Sequence, residues 1–153
     1  RAGTENVPGI AGMGAAAVWA RPHLLVVDGV TALRDHLERG IAAAIPGTFV
    51  NGEGAPRIGN TSNVSFDGVE AETLLMALDL EGIAVSTGAA CSSGTLEPSH
   101  VLLAMGHPAR ARASIRFSLG PGTTAAEIDR VLSVLPPLVD KLRQLGRRKA
   151  AVR

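Results

Sequence analysis

The chain has a single cysteine, and it stands in Ser86-Thr87-Gly88-Ala89-Ala90-Cys91-Ser92-Ser93-Gly94-Thr95, a run of small and polar residues. Cysteine ordinarily behaves as a small buried hydrophobe. This run has neither helical nor strand periodicity to bury it, so the thiol is expected to be accessible and chemically available. A thiolate is the nucleophile, and Cys91 would need a base, a positive charge or a helix N-terminus to form it. The titratable neighbours are Glu97 and His100. A Cys91–His100 dyad competes with a packing or hydrogen-bonding role for the histidine, which falls beside Val101 and Leu102 in an expected short helix. Five or six residues separate Cys91 from either anchored end of the loop, so extended chain would carry the sulfur about 15–20 Å. One thiol could then visit a buried site and a partner surface, although an incidental cysteine on a surface loop fits the same spacing.

Arg116 is the second candidate. It lies mid-strand between Ile115 and Phe117, where a side chain is at least half covered and an unpaired guanidinium is costly. It requires an anion, either a structural carboxylate or a substrate carboxylate held bidentately. Other chemistries lack their patterns. The histidines His23, His36, His100 and His107 do not have zinc-type spacing, and one cysteine cannot build a Cys-rich metal site. No Walker loop, nucleophile elbow or dinucleotide fingerprint is present.

Stepwise along the chain, Val7 to about Ala20 reads as a helix of small residues interrupted by Arg21-Pro22. A second helix, about His23 to Ala44, carries Leu25, Val26, Val30, Leu33, Leu37 and Ile41 at helical spacing, with Ile45 beyond it and Pro46-Gly47 as its stop. Short strands are expected at 48–51, 63–66 and 83–85, and a helix at 69–80. Another short helix is expected at 99–105. In 114–119, Ile115, Phe117 and Leu119 alternate with Ser114, Arg116 and Ser118. Thr124-Ala125-Ala126-Glu127 is a capping box opening a long helix with an apolar face of Ile128, Val131, Leu132, Leu135, Leu138, Val139, Leu142 and Leu145, expected to kink at Pro136-Pro137. Helices alternating with short, mainly antiparallel strands predict an α+β fold with helices on one side of a small sheet.

The bulk numbers narrow the class. At 153 residues and 46% hydrophobic, the chain can bury a core and is not disordered. Fifteen basic against fourteen acidic residues give a net charge of +1, which argues for neither nucleic acid nor membrane as a partner. The basic tail, Arg147, Arg148, Lys149 and Arg153, reads as a solvated helix end. One cysteine excludes an internal disulfide and suits a reducing compartment, and no apolar run approaches the roughly 20 residues of a membrane span. A cytoplasmic protein is the expectation. The sequence opens at Arg1 rather than methionine, which reads as a cut edge.

Several motifs together carry a family resemblance. Val85 to Gly94, then Leu96-Glu97-Pro98-Ser99-His100-Val101-Leu102, then Ser114-Ile115-Arg116-Phe117-Ser118-Leu119-Gly120 resemble the C-terminal part of the NifS/IscS-type cysteine desulfurases, pyridoxal-phosphate enzymes of the class V aminotransferase group. The opening Arg1-Ala2-Gly3-Thr4-Glu5-Asn6 and the segment Asn60-Thr61-Ser62-Asn63-Val64-Ser65-Phe66 resemble further motifs of that family. The resemblance implies the small C-terminal domain of a fold-type I enzyme at 47–153, with the cysteine loop at 86–98, preceded at 1–46 by the end of the large domain and a connecting helix. It implies that Cys91 takes sulfur from L-cysteine as a persulfide, releasing L-alanine, and passes it to an iron–sulfur scaffold or other sulfur-acceptor protein. By the same likeness Cys91 would be a transient iron–sulfur ligand in a chain with no resident metal site. Arg116 would bind the substrate carboxylate, Thr4 would reach the cofactor phosphate of the other subunit, and the enzyme would be a homodimer.

One departure stands against these implications. Pyridoxal phosphate is held by a lysine, and Lys141 and Lys149 stand in no motif like the family's cofactor lysine. The chain by itself is therefore expected to be a catalytically inactive fragment. Two other readings remain at this point: a noncatalytic persulfide carrier or docking domain, and a thiol hydrolase built on Cys91 and His100.

Overall fold

Strand alternation and helical stripes meet in one core. In the computed structural model, which describes residues 3–23, 27–87 and 99–151, β4 (Ser114–Ser118) buries Ile115 and Phe117 on the side where β2 (Thr61–Phe66) places Val64 and Phe66. A period of two sends alternate side chains to opposite faces, so the residues between them form a second, polar face. The sheet is antiparallel throughout, in the order β1-β2-β4-β3, with β1 at Thr48–Val50 and β3 at Ser86–Thr87.

The apolar face is covered by stripes from three helices. On α2 (Val27–Ala44), Leu37 and Ile41 are buried one turn apart, with Ile45 just beyond the end. On α3 (Ala71–Leu80) the buried residues are Ala71, Leu74 and Leu78. The long α5 (Ala125–Ala151) contributes Ile128, Val131, Val134, Leu135 and Val139. Each fully buried aliphatic side chain contributes about 1.5–3 kcal/mol through removal from water. At Gly40 a Cβ would lie 2.6 Å from both methyls of Leu132, so the absence of a side chain there permits the close approach of α2 and α5. Arg143 of α5 donates to the carbonyls of Asp67 and Pro46, tying the helix to the turns flanking the sheet.

Several expectations hold. The alternation in 114–119, the capping box and the one-sided helical cover are all present. At the start of α5 the Thr124 N–H and hydroxyl donate to the Glu127 carboxylate, while the Glu127 N–H donates to Thr124 Oγ1. Others shift. The strand expected at 83–85 is absent: Ile83 and Val85 pack partly against the core, and pairing with β4 begins only at Ser86, where Arg116 and Ile115 lie opposite. The first helix, α1 (Val7–His23), runs past Arg21 and Pro22, since a proline in the last turn removes little more than one helical hydrogen bond. The long helix likewise continues through Pro136 and Pro137. Leu145 is exposed rather than part of the apolar face.

Helix α1 departs from the rest of the molecule. Every residue from Val7 to Trp19 is exposed, including Val7, Ile10, Met13 and Val18. Among the described residues no helix is long and apolar enough to cross a membrane.

Candidate functional site

The polar face of the sheet holds the chemistry. The β2–β4 register sets Asn63 opposite Arg116 and Ser65 opposite Ser114, and the β3–β4 register sets Ser86 on the other flank of Arg116. Arg116 therefore lies between Asn63 and Ser86, half-buried. Its Nε is shielded from water and has no hydrogen-bond partner among the described residues. A shielded, unpaired guanidinium donor is costly unless something fills it. No carboxylate of the described residues supplies the anion that the sequence required.

A chain of hydrogen bonds supports this face. Asn51, buried at the turn after β1, donates through Nδ2 to Asn63 Oδ1 at 2.7 Å and to Ser65 Oγ at 2.7 Å. Ser65 Oγ lies 2.8 Å from Ser114 Oγ, which donates to the Arg110 carbonyl at 2.6 Å. Arg110 opens the short 3-10 turn Arg110–Arg112, and its guanidinium lies 4.1 Å from the centre of the Phe49 ring, a cation–π distance. Sequence reading missed Asn51 and this network. The signal was the polar alternation of 61–66 and 114–118, each visible alone, but only their pairing shows that the two polar rows adjoin.

The remaining candidates are placed as follows. Cys91 and most of its loop lie outside the described residues. The loop leaves the sheet after Thr87, whose neighbour Ser86 faces Arg116, and five residues from Ser86 span at most about 18 Å. On the far side Ser99 caps α4 (His100–Ala104), accepting from the Leu102 N–H. His100 is exposed on that helix. Thr4 is exposed just ahead of α1. Among the described residues no cluster of three or more His, Cys, Asp and Glu side chains could hold a metal ion. A groove of about 620 Å³ at the sheet edge is lined by Val85, Phe117, Gly120, Thr123, Arg130 and others, but Arg116 is not in its wall, so it opens on the helical side.

Arg116 thus offers a shielded donor with no partner among the described residues, one strand from Ser86 and Thr87, the last described residues before Cys91. Comparison with known proteins gives the family: the family model described as aminotransferase class-V matches residues 1–131. The chain belongs to the class-V aminotransferase family. Within this family, the chain is 52% identical over 147 residues to cysteine desulfurase 2 of Trichormus variabilis, covering 95% of this chain and 37% of that protein. It is 54% identical over 151 residues to a cysteine desulfurase of Cereibacter sphaeroides, covering 95% and 38%. The X-ray structure of a NifS-like protein from Rickettsia africae superposes with a TM-score of 0.80 at 28% identity, covering 92% of this chain and 36% of that one. The chain thus spans somewhat over a third of the length of the relatives it matches.

Class-V chemistry raises the question of pyridoxal phosphate, and the described residues do not hold it by themselves. The cofactor needs an amine, and Lys141 is exposed on α5, the helix packed on the apolar face opposite Arg116.

Electrostatics elsewhere are structural. Burial would raise the Glu38 carboxyl, but hydrogen bonding to Arg57 and the charges of Arg57 and Arg34 outweigh it and hold the group below the usual carboxylate value. The Arg57 guanidinium bridges both Glu38 oxygens at 2.7 and 3.0 Å, and pairing with Glu38 raises its own pKa despite burial. Arg34, also buried, bonds Asp35 and the Ile58 carbonyl. These arginines are occupied, in contrast to Arg116.

Proposed function

We propose that this chain is the substrate-clamping and sulfur-accepting part of a pyridoxal-phosphate-dependent cysteine desulfurase. The observation that carries the reading is the shielded, unpartnered Nε of Arg116, set across from Ser86, from which the Cys91 loop departs. The guanidinium binds the carboxylate of L-cysteine through two parallel charge-assisted hydrogen bonds and so directs the substrate sulfur toward the loop. The Cys91 thiolate bonds that sulfur. The substrate carbon–sulfur bond breaks with its electron pair left on carbon, and protonation there gives L-alanine. The persulfide on Cys91 then leaves with the loop for a sulfur-acceptor protein such as an iron–sulfur scaffold.

The position of Lys141 on the wrong face supports a cofactor lysine supplied from outside this chain, with Thr4 reaching the cofactor phosphate across a homodimer. Residues 1–46 would belong to the preceding cofactor-binding unit and 47–153 to the small domain. Exposed Val7, Ile10, Met13 and Val18 on α1 support that division, since such a helix calls for protein to cover it. A cytoplasmic setting suits Cys91, where reducing conditions keep it a thiol.

Alanine release decides the proposal. The purified chain, mixed with pyridoxal phosphate and L-cysteine, is expected to release none. A full-length enzyme carrying this chain is expected to release alanine and to carry a persulfide on Cys91, both lost in Cys91→Ser. Alanine from the isolated chain, or an active Cys91→Ser enzyme, overturns it.

A further inference from the structure

The shortest contacts of the serine–asparagine network set one proton arrangement. Ser114 spends its hydroxyl proton on the Arg110 carbonyl, so the 2.8 Å contact between the serines must use the proton of Ser65. Ser65 Oγ is then left as an acceptor for Asn51, and only an Nδ2 can supply that bond at 2.7 Å. The other Nδ2 proton of Asn51 goes to Asn63 Oδ1 at 2.7 Å rather than to Ser114 Oγ, which lies 3.3 Å from the same nitrogen. Turning the Asn51 amide over would set its oxygen against a hydroxyl with no proton to give, so its orientation is held even though Oδ1 is shielded without a partner among the described residues.

That orientation propagates. With Oδ1 of Asn63 engaged by Asn51, the Nδ2 protons of Asn63 are left over, on a residue that occupies the strand position directly across from Arg116. Asn63 makes no other side-chain hydrogen bond within the described structure, and Arg116 receives no acceptor from it. Two donor groups adjoin on one face with nothing among the described residues to accept from them, an arrangement suited to an anion. We infer that Asn63 is a second donor to the substrate carboxylate, and that Asn51 is a positioning residue that turns its amide toward that role.

The inference rests on the carboxylate-binding role proposed for Arg116, and the test separates the two. In the full-length enzyme, binding of 3-mercaptopropionate, which has the substrate's thiol and carboxylate, is measured by calorimetry beside cysteamine, which lacks the carboxylate. Asn63→Ala is expected to weaken 3-mercaptopropionate about tenfold or more, the size of one hydrogen bond to a charged group, and to leave cysteamine unchanged. Asn63→Asp keeps the shape and the acceptor for Asn51 but places an anion beside Arg116, and it is expected to weaken binding more than Asn63→Ala. Asn51→Ala should give a smaller loss than either. A merely structural role would reverse the Asp and Ala order, because Asp is the closer isostere. Unchanged affinity in Asn63→Ala, with loss in Arg116→Met, overturns the role of Asn63 and leaves that of Arg116 standing. Unchanged affinity in Arg116→Met overturns both.

Discussion

Replacing Arg116 by methionine should move stability and function in opposite directions. The shielded Nε has no partner among the described residues, and an unmet buried donor costs about 1–3 kcal/mol. Methionine retains an unbranched, adaptable stem that can occupy much of the same space, so the packing lost is small beside the desolvation relieved. A net gain of about 1 kcal/mol corresponds to a rise in Tm of roughly 2–4 °C for a chain of this size. The same change removes a two-pronged clamp. Hydrogen bonds to charged groups contribute about 1.5–3 kcal/mol each, so two of them correspond to a fall of at least about a hundredfold in kcat/KM for L-cysteine. Thermal unfolding of the purified chain by circular dichroism reads the first effect, and alanine release by the full-length enzyme reads the second. A Tm lowered by 2 °C or more would show that the guanidinium supports the fold. An undiminished kcat/KM would show that it holds no substrate.

Three further outcomes follow from the fold. Because the folded Glu38 carboxyl titrates below its usual value of 4.5, its contribution is present above that value and is lost as pH falls through the lowered one. Glu38→Gln should therefore cost about 1 kcal/mol at pH 7, the upper end for a pair that retains contact with water, and the gap to the parent should close in acid melts below the usual carboxylate range. Gly40→Val places branched carbon where a Cβ already meets both Leu132 methyls at 2.6 Å, so chemical denaturation should show a loss of about 1–3 kcal/mol. Thr124→Ala removes the N-cap acceptor of α5, with an expected cost of about 1 kcal/mol in the same measurement.

Much of this site was legible in local pattern. The alternation of Ile115 and Phe117 with Ser114 and Arg116 identified both the strand and the anomaly of an arginine within it, because a period of two assigns faces without reference to the partner strand. The capping box of Thr124 and Glu127 was equally local. Strand β3 was misplaced because Ile83, Ala84 and Val85 are apolar enough for a strand, whereas pairing depends on where β4 offers free backbone groups. Asn51 went unnoticed for a related reason: nothing within its turn shows that Asn63 and Ser65, 12 and 14 residues away, come to accept its protons.

By itself the sequence determined the family and raised the chemical expectations: a lone cysteine in an unpatterned run, an arginine in a strand, and motifs in the order of a class-V aminotransferase. These are properties of residue type and short-range period, which survive without knowledge of neighbours. Tertiary structure alone decided that Arg116 has no carboxylate among the described residues to pair with, that Asn63 and Ser86 flank it, and that Lys141 stands on the opposite side of the sheet. Those facts depend on register and on which face each helix covers, and register is fixed only when distant strands share one core.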